Sequence, residues 1–182
     1  MLGGLVQQFV RFVGIGFLNT AVDYAVFNLV AAYLQIYRGA GVGYITAVSF
    51  SVAVLHSYFW NKYWAFNLPE GESLWRSARQ FIAAAALGAL VVALALFGAR
   101  QTYDPLYYFF LLALLLLGEL GLWKIFRLRT NPLAQRSGRE FLLFIVISII
   151  GIIINFTIVS QGTLRLPPQF GLNQELWTNL IK

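Results

Sequence analysis

Five unbroken apolar runs limit the fold more than any other feature of this chain. They lie at about 12–34, 42–60, 81–99, 105–123 and 141–160. Each approaches the ~20 residues that an α-helix needs to cross a bilayer core of ~30 Å. Transmembrane strands would instead show alternating segments of ~10 residues. The 182 residues are 59% hydrophobic and only 11% charged, where a soluble domain carries about 25% charged residues. The expectation is an all-α, polytopic transmembrane helix bundle of about five spans. There is no cysteine, so disulfide and thiol chemistry are excluded. No small-residue cleavage site follows a short apolar core, so the first run does not read as a cleavable signal.

The net charge of +6 does not indicate nucleic-acid binding, because its distribution follows the positive-inside rule. Arg11, Lys62, Arg76, Arg79, Lys124, Arg127, Arg129, Arg136 and Arg139 fall on one side of the predicted spans. Arg38, Arg100, Arg165 and Lys182 fall on the other. The N-terminus is therefore expected to be cytoplasmic. Tyr33, Tyr37, Trp60, Tyr63, Trp64, Tyr103, Tyr107, Tyr108 and Trp123 cluster at the span ends, as an aromatic belt does.

Against this background the polar residues inside the spans stand out. Asp23 lies near the middle of the first run, where a carboxylate costs on the order of 2.5–3.5 kcal/mol on insertion scales and so faces a bundle interior, a cavity or a partner. Asn19 precedes it by one turn on the same face. Phe9, Phe12, Gly16 and Asp23 recur as Phe141, Phe144, Ser148 and Asn155 at a constant offset, an internal repeat of the kind transporters carry. Asn155 cannot ionise, so the two copies differ chemically. The second run carries Ser49, Ser51, His56 and Ser57 and leaves through Trp60-Asn61-Lys62-Tyr63-Trp64-Ala65-Phe66. Leu68 to Glu72 reads as a loop. Ala84 and Gly88 predict close helix packing in the third run. Glu119 sits near the inner end of the fourth, with Lys124 or Arg11 as expected salt-bridge partners. The stretch from Lys124 to Arg139 is the most basic. Asn173 is placed to cap a last short helix whose Leu176, Trp177, Leu180 and Ile181 share one face.

The stretch Arg11-Phe12-Val13-Gly14-Ile15-Gly16-Phe17-Leu18-Asn19-Thr20-Ala21-Val22-Asp23, with the exit Asn61-Lys62-Tyr63-Trp64-Ala65-Phe66, resembles the GtrA-like family. That resemblance implies a core of four helices in two repeated pairs. Residues 8–66 then form the first pair and 76–137 an inserted pair with its basic loop. Residues 138–182 form the start of the second repeat, with the family's last helix apparently missing. It further implies flipping of polyprenyl-phosphate-linked sugars across the inner (plasma) membrane for cell-surface polysaccharide synthesis or modification.

On this reading Asn19, Asp23 and Asn155 line a polar track for a sugar headgroup, or Asp23 exchanges a proton during transport. Lys62, beside Asn61, and Arg11 receive the phosphate at the cytoplasmic mouth, Trp64 stacks on sugar or isoprenoid, and His56 lines the same cavity. The bland readings are an interhelical hydrogen bond for Asn19 and Asp23, an interfacial anchor for Lys62 and a structural hydrogen bond for His56. No phosphate loop, metal-spaced cluster or nucleophile–base pair is present, so neither enzyme activity nor a cofactor is expected. Membrane lipid and a polyprenyl-phosphate sugar are the expected partners. A packing gap leaves room for a second copy of the chain. The alternative is a non-transporting anchor or activator of a membrane glycosyltransferase, acting through the basic loop.

Overall fold

The computed structural model describes residues 2–65, 73–101, 104–126 and 138–182, and the side chains of all these except 2–3 and 138–145. The loop at Leu68–Glu72, Phe66, most of the basic loop, and the side chains of Phe141 and Phe144 lie outside the described residues.

The described residues form helices and no strand: α1 (Leu2–Leu34), α2 (Gly39–Trp60) with a π-helical continuation at Asn61–Ala65, α3 (Leu74–Gln101), α4 (Pro105–Ile125), α5 (Gly138–Arg165) and α6 (Gln174–Ile181). Five of them are long and apolar enough to cross a membrane, as the sequence predicts. The helices overrun the apolar runs at most ends, because helical hydrogen bonding continues into the interface where Arg, Lys, Trp and Tyr are tolerated.

Local chemistry sets the boundaries. The α1–α2 turn uses left-handed backbone at Gln35 (φ 57°) and Gly39 (φ 70°). Asp104 caps α4 by accepting from the Leu106 amide at 2.9 Å, and Pro105 occupies the first helical position. Asn173 caps α6 in the same way at 2.8 Å.

α1 is the hub, packed against α2, α3 and α4, while α5 packs on α2 and α6 touches α3 and α5. Small residues bring the backbones together. A methyl on Gly88 would lie 2.6 Å from the Phe17 carbonyl oxygen, and one on Gly14 would meet Phe81 and Ala84. This is the close packing that Ala84 and Gly88 predict. α5 is seated on α2 where Gly43 faces Phe156 and Ser160. The central core is Ile15, Leu18, Ala21, Val22, Ala25, Ala53, Trp60, Trp64, Ala84, Val91 and Leu115. Outward faces carry large apolar side chains, such as Phe109, Phe110, Leu117 and Ile153.

α6 forms where Asn173 is placed to cap it, at Gln174–Ile181. Its buried side chains are Thr178 and Asn179, which find partners in the bundle, and Leu180 is exposed. Lys182 departs from expectation, lying inside the bundle with a side chain only 1% exposed rather than among the outer cations.

Candidate functional site: a polar ladder between α1 and α2

The upper rung is built on Asp23. Ser49 of α2 donates to its Oδ1 at 2.6 Å, and Lys182, just beyond α6, lies 2.9 Å from the same oxygen. The ammonium also donates to the Asp23 carbonyl at 3.0 Å and to Ser49 Oγ at 3.2 Å. Its three donors are thus spent, and it lies 4.3 Å from the Phe27 ring centroid. Above it, Asn28 and Asn179 exchange amide hydrogen bonds of 2.7 and 2.8 Å. Tyr24 donates to the Asn179 carbonyl at 3.0 Å, and Thr178 donates to the Tyr37 carbonyl at 2.6 Å. Tyr37 sits in the turn outside the spans, and burial followed by the Glu175 charge pushes its phenol up to about 12.

The middle rung is Asn19, one turn or ~6 Å along α1 from Asp23. Its carbonyl oxygen is buried and accepts no hydrogen bond. Such an atom is costly unless something fills its place.

The lower rung is on α2, two turns or ~10.5 Å from Ser49. His56 Nε2 lies 2.8 and 3.0 Å from the two oxygens of Glu119, and Trp60 Nε1 donates to Glu119 at 3.2 Å. The other ring nitrogen of His56, Nδ1, is buried and has no hydrogen-bond partner. Glu119 therefore pairs with His56 rather than with Lys124 or Arg11. The sequence hides this because the partners are 63 positions apart.

Below this, the exit motif forms the π-helical turn, a wider coil that recurs at functional sites. Arg11 is buried and donates from one guanidinium nitrogen to the Trp64 carbonyl at 3.0 Å, with its charge 5.9 Å from the Trp64 ring. Trp64 is buried too and donates to Gln80 at 3.1 Å. Arg11 and Trp64 thus hold one another rather than facing an open mouth. Asn61 donates to the Ser57 carbonyl and hydroxyl at 2.9 and 3.0 Å, while its own carbonyl oxygen is buried and unpartnered, as is Ser77 Oγ. Lys62 is half-buried, with its ammonium 5.9 and 5.5 Å from the Tyr58 and Tyr63 rings.

The structure thus brings together Asn19, Asp23 and His56 on one α1–α2 face, with Arg11, Asn61 and Trp64 beneath. Asn155 stays half-buried on α5, which packs on α2 and α6, and makes none of the upper rung's contacts. Sequence reasoning missed Lys182, Asn28, Asn179, Ser77 and Gln80. Asn28 was findable, since Asn19, Asp23, Tyr24 and Asn28 form one polar stripe at helical spacing.

Residues 11–128 match the family described as GtrA/DPMS, transmembrane domain. The chain belongs to this family. No curated protein and no solved structure matches it. Membership makes this GtrA/DPMS protein a multi-pass membrane protein of polyprenyl-phosphate-sugar processes, in a family of flippase and accessory proteins. The matched stretch includes Arg11, Asn19, Asp23, His56, Asn61, Lys62, Trp64 and Glu119. It runs through α3 and α4 and stops before α5, so Asn155 and Lys182 lie beyond it.

Proposed function

We propose that this protein moves the headgroup of a polyprenyl-phosphate-linked sugar across the bilayer, with its N-terminus on the cytoplasmic side of the plasma membrane. The observation that carries this reading is the unpartnered Asn19 carbonyl oxygen, at a depth between the Asp23–Lys182 and His56–Glu119 pairs. Polar groups at membrane depth are costly and are kept mostly where they serve a pathway. Here they follow one another along the bundle, Asn19 one turn from Asp23 and His56 two turns from Ser49, while the polyprenyl tail stays in lipid. Because the family match spans α1–α4, the reading takes these as the transporting core and α5–α6 as the segment packed over its outer half. The cations Arg76, Arg79 and Lys124 at the end that also holds Lys62 support the orientation.

The test is translocation of a fluorescent polyprenyl-phosphate sugar in proteoliposomes, wild type beside Asn19→Leu. Asn19 accepts no hydrogen bond through its carbonyl, so the near-isosteric leucine leaves stability unchanged or raised. Translocation is expected to fall at least about tenfold, the loss of one hydrogen bond of ~1.4 kcal/mol. Normal transport by a well-inserted Asn19→Leu protein would sink the proposal.

One observation favours a second reading. The Lys182 ammonium is fully hydrogen-bonded, so the upper rung is complete without any ligand. A bundle closed in that way suits an anchor or activator of a membrane glycosyltransferase. That reading requires co-purification with the transferase and no translocation by the protein alone.

A further inference from the structure

Helices α2 and α4 are not close-packed neighbours. The His56–Glu119–Trp60 bridge spans the space between them with side chains, and beside it lies a groove of about 390 Å³ lined by Trp60, Leu116, Glu119, Leu120 and Trp123. Positions 116, 119, 120 and 123 recur at three- and four-residue spacing, so one face of α4 forms the wall. The Trp60 and Trp123 rings meet edge to face at 5.6 Å and 64°.

The chemistry of the lining narrows what fits. The two oxygens of a carboxyl group offer about four acceptor sites. His56 and Trp60 occupy part of these, so Glu119 keeps acceptor capacity beside the groove. A phosphate is disfavoured there, since no cation lines the groove. A bare hydrocarbon leaves the carboxylate desolvated with capacity unused, which is costly. A pyranose or furanose answers both features. Its hydroxyls donate to the carboxylate, and its C–H face lies on the indoles and leucines. Lys124, exposed in the last turn of α4, is five residues or ~7.5 Å further toward the interface. A phosphate attached to that sugar reaches it.

We infer that this groove is the sugar subsite of the lipid-linked substrate. Glu119 accepts from sugar hydroxyls, Trp60 and Trp123 cover the C–H face, and His56 holds the carboxylate in position. The inference rests on the substrate class of the translocation reading and deepens it by separating sugar from phosphate.

The experiment is calorimetric titration of the protein in lipid nanodiscs with citronellyl phosphate carrying glucose, galactose, mannose or arabinose, beside citronellyl phosphate itself. At least one glycoside is expected to bind about tenfold tighter than the bare phosphate, as one added hydrogen bond of ~1.4 kcal/mol supports. Glu119→Gln and Trp123→Leu are each expected to remove that gain, so that the glycoside binds no tighter than citronellyl phosphate does to the same variant. Trp123→Leu breaks no bond of the His56 bridge, so it keeps the test readable if Glu119→Gln inserts poorly. The inference is overturned if no glycoside gains over citronellyl phosphate, or if the gain survives Trp123→Leu. A gain that depends on Trp123, with no translocation in proteoliposomes, leaves the subsite standing and removes the transport reading. Translocation with no sugar-dependent gain does the reverse.

Discussion

Removing one member of the Asp23–Lys182 pair tests whether this contact fastens α6 to the bundle. The ammonium is 2.9 Å from the carboxylate and its side chain is 1% exposed. Lys182→Met leaves the half-buried Asp23 carboxyl with the Ser49 hydroxyl, at 2.6 Å, in place of its counter-charge. Asp23→Leu leaves the ammonium with the Asp23-position carbonyl at 3.0 Å, Ser49 at 3.2 Å and the Phe27 ring, but no counter-charge. Breaking a buried pair from one side costs about 3–5 kcal/mol, whereas replacing both partners by apolar residues is often neutral or stabilising. The double variant is therefore expected to be more stable than either single one. The coupling energy from the double-mutant cycle should be about 3 kcal/mol or more. An ordinary interhelical hydrogen bond in a membrane protein averages only about 0.6 kcal/mol, so the two outcomes are well separated. Reversible unfolding in mixed SDS micelles, with helicity as the signal, measures all four proteins. A coupling near 0.6 kcal/mol would refute the reasoning and reduce the pair to one polar contact among several.

Gly88→Ala should destabilise the protein by about 1–3 kcal/mol in the same assay. Its new methyl would lie 2.6 Å from the Phe17 carbonyl oxygen, a backbone atom that cannot move aside as a side chain can. Gly121→Ala, with nothing within 4 Å, is the control and should be neutral or slightly stabilising. Tyr37, held up to about 12, keeps its proton in the folded protein at pH values where the unfolded chain loses it. Its contribution is constant below pH 10 and is lost between pH 10 and 12. The phenolate absorbance difference between wild type and Tyr37→Phe should have its midpoint near pH 12, and a midpoint near 10 would show an unburied phenol.

The spans were legible in the sequence because lipid imposes a length and a composition on each helix that no tertiary contact is needed to reveal, and the family because of the motifs at Arg11–Asp23 and Asn61–Phe66. Asp23 was legible for the same reason, since a carboxylate in an apolar run must find a polar partner or a cavity. Its partners were not. Lys182 and Ser49 lie 159 and 26 positions away, and only the fold brings them to one point. For Trp64 the family resemblance implied stacking on sugar or isoprenoid, and the contacts that bury its ring were not legible. The Arg11 guanidinium and Gln80 amide that bury it come from α1 and α3, and their approach is set by Gly14 and Gly88. The periodicity of α6 gave its shared faces but not which of them turns inward. Thr178 and Asn179 turn inward to partners on α1 and at Tyr37.

The α6 contacts also make the outer end of the bundle observable. Thr178, Asn179 and Lys182 find their partners on α1, on α2 and at the Tyr37 carbonyl between them, so α6 is held only while those elements keep their spacing. The indole of the neighbouring Trp177 donates to the Leu166 carbonyl, and its protection from aqueous quenchers would report that the assembled elements hold α6 in place.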